Sequence, residues 1–77
     1  MAGQLPSMTS RQVRRVLAKA GWRVDRQQGS HVMLVRRDGT GLVVVPDHHG
    51  DLRPGTVRAI LKQAGLTPDE FNRLRRD

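Results

Sequence analysis

Two stretches of this chain repeat one apolar spacing and one stop signal. Val13, Val16, Leu17 and Ala20 fall at i, i+3, i+4 and i+7 and are followed by Gly21; Val57, Ile60, Leu61 and Ala64 repeat the spacing and are followed by Gly65. That period puts each set on one stripe of a helix, and a glycine just past the stripe supplies the left-handed residue that ends it. Between the two stripes the period changes to two. Trp22 and Val24 alternate with Arg23 and Asp25, Gly29-Ser30 makes a turn, and Val32 and Leu34 alternate with His31, Met33 and Val35 up to Arg36. Arg37-Asp38-Gly39-Thr40-Gly41 reads as a hairpin turn, because Asp-Gly supplies the backbone angles that tight turns need. Leu42 to Val45 form a third strand, the most apolar of the three and so expected to be well covered, which Pro46 stops. The burial scheme that serves all these segments is an α+β fold of order α-β-β-β-α. Both long helices cover one face of a three-stranded antiparallel meander, and the other face stays open to solvent or a partner.

The remaining residues frame that core. Residues 1–8 read as a lead-in from which Leu5 and Pro6 can pack on the body. Thr9 with Gln12 forms a capping box at the first helix, and Thr67 with Glu70 forms another that opens a short C-terminal helix with Phe71 and Leu74 inward. Residues 47–53 read as a loop, and Pro54 fits a first helical turn. Seventy-seven residues leave room for one core, so residues 1–77 are expected to be a single domain.

Charge narrows the function. Fourteen Lys and Arg face seven Asp and Glu, and residues 67–77 hold three of each sign, so the whole excess of +7 sits on the first 66 residues. A body of that sign concentrates polyanions around it. Twelve of the fourteen bases are arginine, whose fork suits phosphate. There is no cysteine, which excludes disulfides, thiolate chemistry and cysteine-ligated zinc. Residues 1–10 carry no charged-then-apolar leader pattern, and no run approaches the roughly 18 apolar residues of a membrane span, so a cytoplasmic location and no membrane partner are expected.

Few residues can carry chemistry. His31 follows Gly29-Ser30 at the mouth of the first hairpin, with Gln27 and Gln28 just before it. Imidazole has an ordinary pKa of about 6.5, suited to proton transfer near neutrality, and a strand start holds it firmly while leaving it at the rim. The competing reading is an ordinary half-exposed strand histidine. Arg23, Arg26, Arg36 and Arg37 lie on or beside the strands, where they can flank His31, and Gln28 and Ser30 can orient a ribose or the imidazole. Arg11, Arg15 and Lys19 form a helix stripe that is either a backbone contact or a solvated face. His48 and His49, with Asp47 and Asp51 nearby, lack the spacing of a preorganised metal cage; a loop histidine that meets phosphate is the simpler reading. The start of the second helix, near Gly55 and Thr56, offers free backbone N–H groups to a phosphate, as every helix start does. Trp22 reads as core, and the Met33 side of the sheet as the binding surface.

The ordered set Leu5-Pro6, Ala20-Gly21-Trp22, Arg26-Gln27-Gln28-Gly29-Ser30-His31, Val44-Val45-Pro46-Asp47-His48, Leu52, Gly55-Thr56-Val57-Arg58-Ala59-Ile60-Leu61 and Ala64-Gly65-Leu66-Thr67-Pro68-Asp69-Glu70-Phe71 resembles the HicA-type (YcfA-like) mRNA interferase toxins, from about Leu5 to Leu74. The resemblance implies a fold similar to double-stranded-RNA-binding domains and the toxin half of a type II toxin–antitoxin pair, inhibiting translation and growth. It implies mRNA cleavage without metal or other cofactor, and a cognate HicB-type antitoxin over the active face. Operator DNA enters only through the antitoxin complex. The family's catalytic histidine corresponds to His31; Gln28, Gly29, Ser30, Arg26, Arg36 and His48 are the expected substrate-binding residues. The chain departs in its His48-His49 pair and in Trp22, where phenylalanine is common.

Two other functions fit the residues without the resemblance. A non-catalytic RNA-binding module needs the basic body but no histidine. A DNA-binding protein would place an arginine-studded helix in a groove, although the Asp-Gly hairpin and the apolar third strand argue against a pure helix-turn-helix domain.

Overall fold

The computed structural model describes residues 5–77, so the first four residues of the lead-in lie outside the described residues. Its elements run β1 (Met8–Thr9), α1 (Ser10–Lys19), β2 (Trp22–Gln28), β3 (His31–Arg36), β4 (Val43–Pro46), β5 (Asp51–Leu52), α2 (Pro54–Ala64) and α3 (Pro68–Arg76). Strands β2, β3 and β4 form the expected antiparallel meander with β3 in the centre.

Local chemistry accounts for the helix ends. Thr9 Oγ1 accepts the Gln12 N–H at 3.1 Å and Gln12 Oε1 accepts the Thr9 N–H at 2.9 Å, so two otherwise orphaned donors at the α1 start are satisfied. The same exchange joins Thr67 and Glu70 at the start of α3. Gly65 adopts φ 72°, and the Leu66 N–H returns to the Leu61 carbonyl at 2.9 Å, which closes α2. At its other end α2 begins with Pro54 and has no side-chain cap.

One face of the sheet carries the core. Cross-strand register sets Val24 and Val43 beside Leu34, Val45 beside Val32, and Trp22 beside Arg36, all on the helix side. Trp22, Leu34, Val43 and Val45 pack there with Val13, Val16 and Leu17 of α1, Val57, Ile60, Leu61 and Ala64 of α2, and Phe71 of α3. Complete burial of a leucine, valine or phenylalanine stabilises by about 1.5–3 kcal/mol, so this shared cluster holds both long helices to one face. Lys19 then ties the last helix down: its Nζ donates to the main-chain oxygens of Leu74 at 3.0 Å and Asp77 at 2.6 Å.

Three details differ from expectation. The lead-in ends in a strand: Met8 pairs with Leu52 and Thr9 with Asp51, so the loop 47–53 also contains strand β5. The third strand starts one residue late, at Val43, and includes Pro46. Leu42 is 54% exposed, because the turn closed by the Arg36 N–H on the Thr40 carbonyl runs on past Gly41. Finally, the register shifts between Val24 and Arg26, so Asp25 is a bulge in the edge strand β2 and Val24 is left 50% exposed.

Candidate active site

The first hairpin turns on two residues, Gly29 and Ser30. Gly29 adopts φ 55°, a left-handed conformation that glycine takes without steric cost, at the first central position of the turn. Immediately after it, His31 opens β3 with Gln28 opposite on one side and Pro46 opposite on the other. His31 is exposed, and its odd offset from Val32 and Leu34 puts it on the face that the helices leave open. The imidazole is therefore fixed by the central strand of the sheet yet faces solvent.

Two residues along the same face lies Met33, with Arg26 opposite. Arg26 Nε approaches Met33 Sδ at 3.2 Å, so the guanidinium lies against the open face beside Met33. Asp25 lies 3.9 Å from this guanidinium, both groups being exposed. A surface pair of that kind is worth little, so it competes weakly with a phosphate. Arg23, Val35, Val44 and Pro46 complete this face by parity.

A second set of contacts supports the hairpin from the helix side. The Asp47 N–H donates to the Ser30 carbonyl at 2.6 Å. Gln27 Nε2 donates to Asp47 Oδ2 at 3.2 Å and to the Gly29 carbonyl at 3.1 Å. The other Asp47 oxygen faces an Arg14 guanidinium nitrogen at 3.8 Å. Asp47 thus joins the strand end after Pro46 to the turn before His31 and to α1.

The expected site residues divide by face. His31, Gln28, Gly29, Ser30 and Arg26 are brought together at the hairpin end of the open face. His48 is exposed just beyond Asp47, and its Nδ1 lies 3.0 Å from the His49 carbonyl. When Nδ1 carries the proton it donates there, leaving Nε2 free to accept. Arg36 is not brought to this group. It lies an odd number of residues from His31 at the far end of β3, on the opposite face, where its guanidinium stacks over the Trp22 ring. Trp22 itself is buried, as its core reading requires. Among the described residues, no three histidine, cysteine, aspartate or glutamate side chains gather as a metal cage, and no helix is long and apolar enough to cross a membrane. Arg14 and Asp47 are not among the expected site residues; Asp47 is weighed there only as a metal ligand beside His48 and His49. An acid placed directly after the strand end that must pair with the start of β3 is the one signal that marks Asp47.

Compared with known protein families, residues 10–66 match the model described as HicA toxin of bacterial toxin–antitoxin. The match runs from the start of α1 through the hairpin and the His48 loop to Leu66, just past α2. No curated protein sequence matches the chain.

Proposed function

The chain belongs to the HicA toxin family of bacterial toxin–antitoxin systems, and from that premise we propose that it is a metal-independent endoribonuclease that cleaves mRNA with His31 as general base. The observation that carries this reading is the exposed imidazole at the start of the central strand, on an open face that also carries the Arg26 guanidinium. Membership of a toxin–antitoxin family implies an antitoxin partner; we take it to be of the HicB type and to cover this face.

RNA brings its own nucleophile. Neutral His31 takes the proton of a ribose 2′-hydroxyl, and the 2′-oxygen attacks the adjacent phosphorus. The bond from phosphorus to the 5′-oxygen breaks, and that oxygen leaves with a proton returned by the imidazolium or by water. The products are a 2′,3′-cyclic phosphate and a 5′-hydroxyl. General-base assistance contributes roughly 10²–10⁴-fold. Arg26 stabilises charge on the phosphorane oxygens, and His48 offers a further polar contact from its loop. Gln28 and the Gly29-Ser30 turn shape the ribose position.

The test is incubation of purified protein with single-stranded RNA. Wild type is expected to generate new 5′ ends in excess chelator, and His31→Ala to generate none while keeping its circular dichroism. A substrate carrying 2′-deoxyribose at the scissile position is expected to stay intact. Full activity of His31→Ala would remove the mechanism, and RNA bound by wild type but left uncut would make the chain an RNA-binding module.

A further inference from the structure

The Asp47 carboxylate contacts both Gln27 of the first hairpin and Arg14 of α1. We infer that Asp47 is a positioning residue for His31, a role that rests on the cleavage reading above. Its main-chain N–H holds the Ser30 carbonyl at 2.6 Å, one residue from the imidazole. One carboxylate oxygen takes Gln27 Nε2 at 3.2 Å, and the same amide nitrogen also reaches the Gly29 carbonyl at 3.1 Å. The other oxygen faces Arg14 at 3.8 Å. Gln27 pairs with buried Val32, so the bridge lies on the helix side of the sheet, while His31 with Gln28 and Pro46 faces the other way. The turn is thus supported from behind, at a point where the bridge does not meet a substrate on the open face.

The physical need is plain. A two-residue turn at the end of an edge strand frays easily, and a general base works only within hydrogen-bond reach of the proton it takes. A shift of about 1 Å in such a group costs up to about a hundredfold in rate. Gln27 and Asp47 limit that shift by joining the turn to the end of β4. Arg14 extends the link to α1, whose apolar stripe is fixed in the core. Arg14 Nε is itself buried with no hydrogen-bond partner among the described residues, so Asp47 is the group that orients this guanidinium.

Steady-state cleavage and NMR of the RNA-free protein test the assignment together. Asp47→Ala is expected to lower kcat about ten- to a hundredfold with KM within about twofold of wild type, because substrate contacts stay in place. Asp47→Asn keeps an oxygen for Gln27 and is expected to recover most of the loss. Gln27→Ala is expected to lower kcat in the same way, and the double variant to add little to either single change. In the RNA-free protein, both alanine variants should shift the amide resonances of Gly29, Ser30 and His31 while leaving those of α2 unmoved. Wild-type kcat in Asp47→Ala, a change confined to KM, or fully additive losses would each overturn the assignment. Should wild type cut no RNA, the cleavage reading fails by itself. The hairpin amides then decide whether Asp47 holds the turn, and unshifted resonances would dismiss that too.

Discussion

The guanidinium carbon of Arg36 lies 4.6 Å from the centre of the Trp22 ring. Gly41 closes over this stacked pair with φ 76°, and a Cβ built on it would meet an Arg36 guanidinium nitrogen and come within 2.9 Å of Trp22 Cη2. The arginine end can swing away, but the indole is buried among core side chains and cannot. Gly41→Ala is therefore expected to destabilise the fold by about 1–3 kcal/mol, combining left-handed strain with the ring contact. Urea unfolding measures it, and an unchanged midpoint would contradict the packing described.

On the proposed function, Arg26 and Arg36 should separate activity from stability. Arg26 shares the open face with His31, whereas Arg36 stacks on Trp22 on the covered one. Arg26→Ala should weaken RNA cleavage about tenfold or more while changing the melting temperature little. Arg36→Ala should lower the melting temperature, by loss of roughly 0.5–1 kcal/mol of stacking, with kcat/KM near that of wild type. The reverse pattern would exchange the two faces.

Acid should loosen two local caps. The Thr67 N–H holds the Glu70 carboxyl below its ordinary 4.5, and the Thr40 hydroxyl and N–H hold Asp38 below its ordinary 3.8. A carboxyl lowered by folding stabilises the folded state fully above its unfolded value, and that contribution is lost as pH falls through the lowered one. Stability should thus decline from about pH 5 downward. Glu70→Gln, which keeps an oxygen for the Thr67 N–H, should show a shallower decline when urea midpoints are compared between about pH 6 and about pH 3. Identical slopes in the two proteins would remove Glu70 from the acid response.

The last helix rests on one ring. Phe71 is fully buried, and it is the only α3 side chain that is. Phe71→Ala should cost about 3–5 kcal/mol, a large part of the stability of so small a domain. Lys19→Met, which removes the donor to the Leu74 and Asp77 oxygens, should cost no more than about 1 kcal/mol and speed amide exchange at the end of α3. Equal effects of the two changes would mean that α3 is held by its end rather than by its core contact.

Periodicity and capping are local properties, and whatever depends on them was readable in the residues alone. The stripes of α1 and α2, both Thr-led capping boxes, the Asp38-Gly39 turn and the alternation through β3 all correspond to the structure. The β1–β5 ladder was not readable, since strands of two residues have no period to detect. Arg36 shows a different limit. Its membership of β3 is evident in the pattern, but its relation to His31 depends on parity along the strand, and an odd offset separates the two faces. Asp47, Gln27 and Arg14 come from three elements that meet only once the sheet and helix have packed, so no spacing connects them.

The short ladder between Met8–Thr9 and Asp51–Leu52 has one more effect. It fastens the residue that caps α1 to the segment that enters α2, while the Asp47 N–H fastens the other end of the same loop to Ser30. His48 is thus carried on a bridge moored at both banks. For the RNA substrate proposed above, that loop would be a landing place whose shape is set beforehand, with little ordering entropy left to oppose docking.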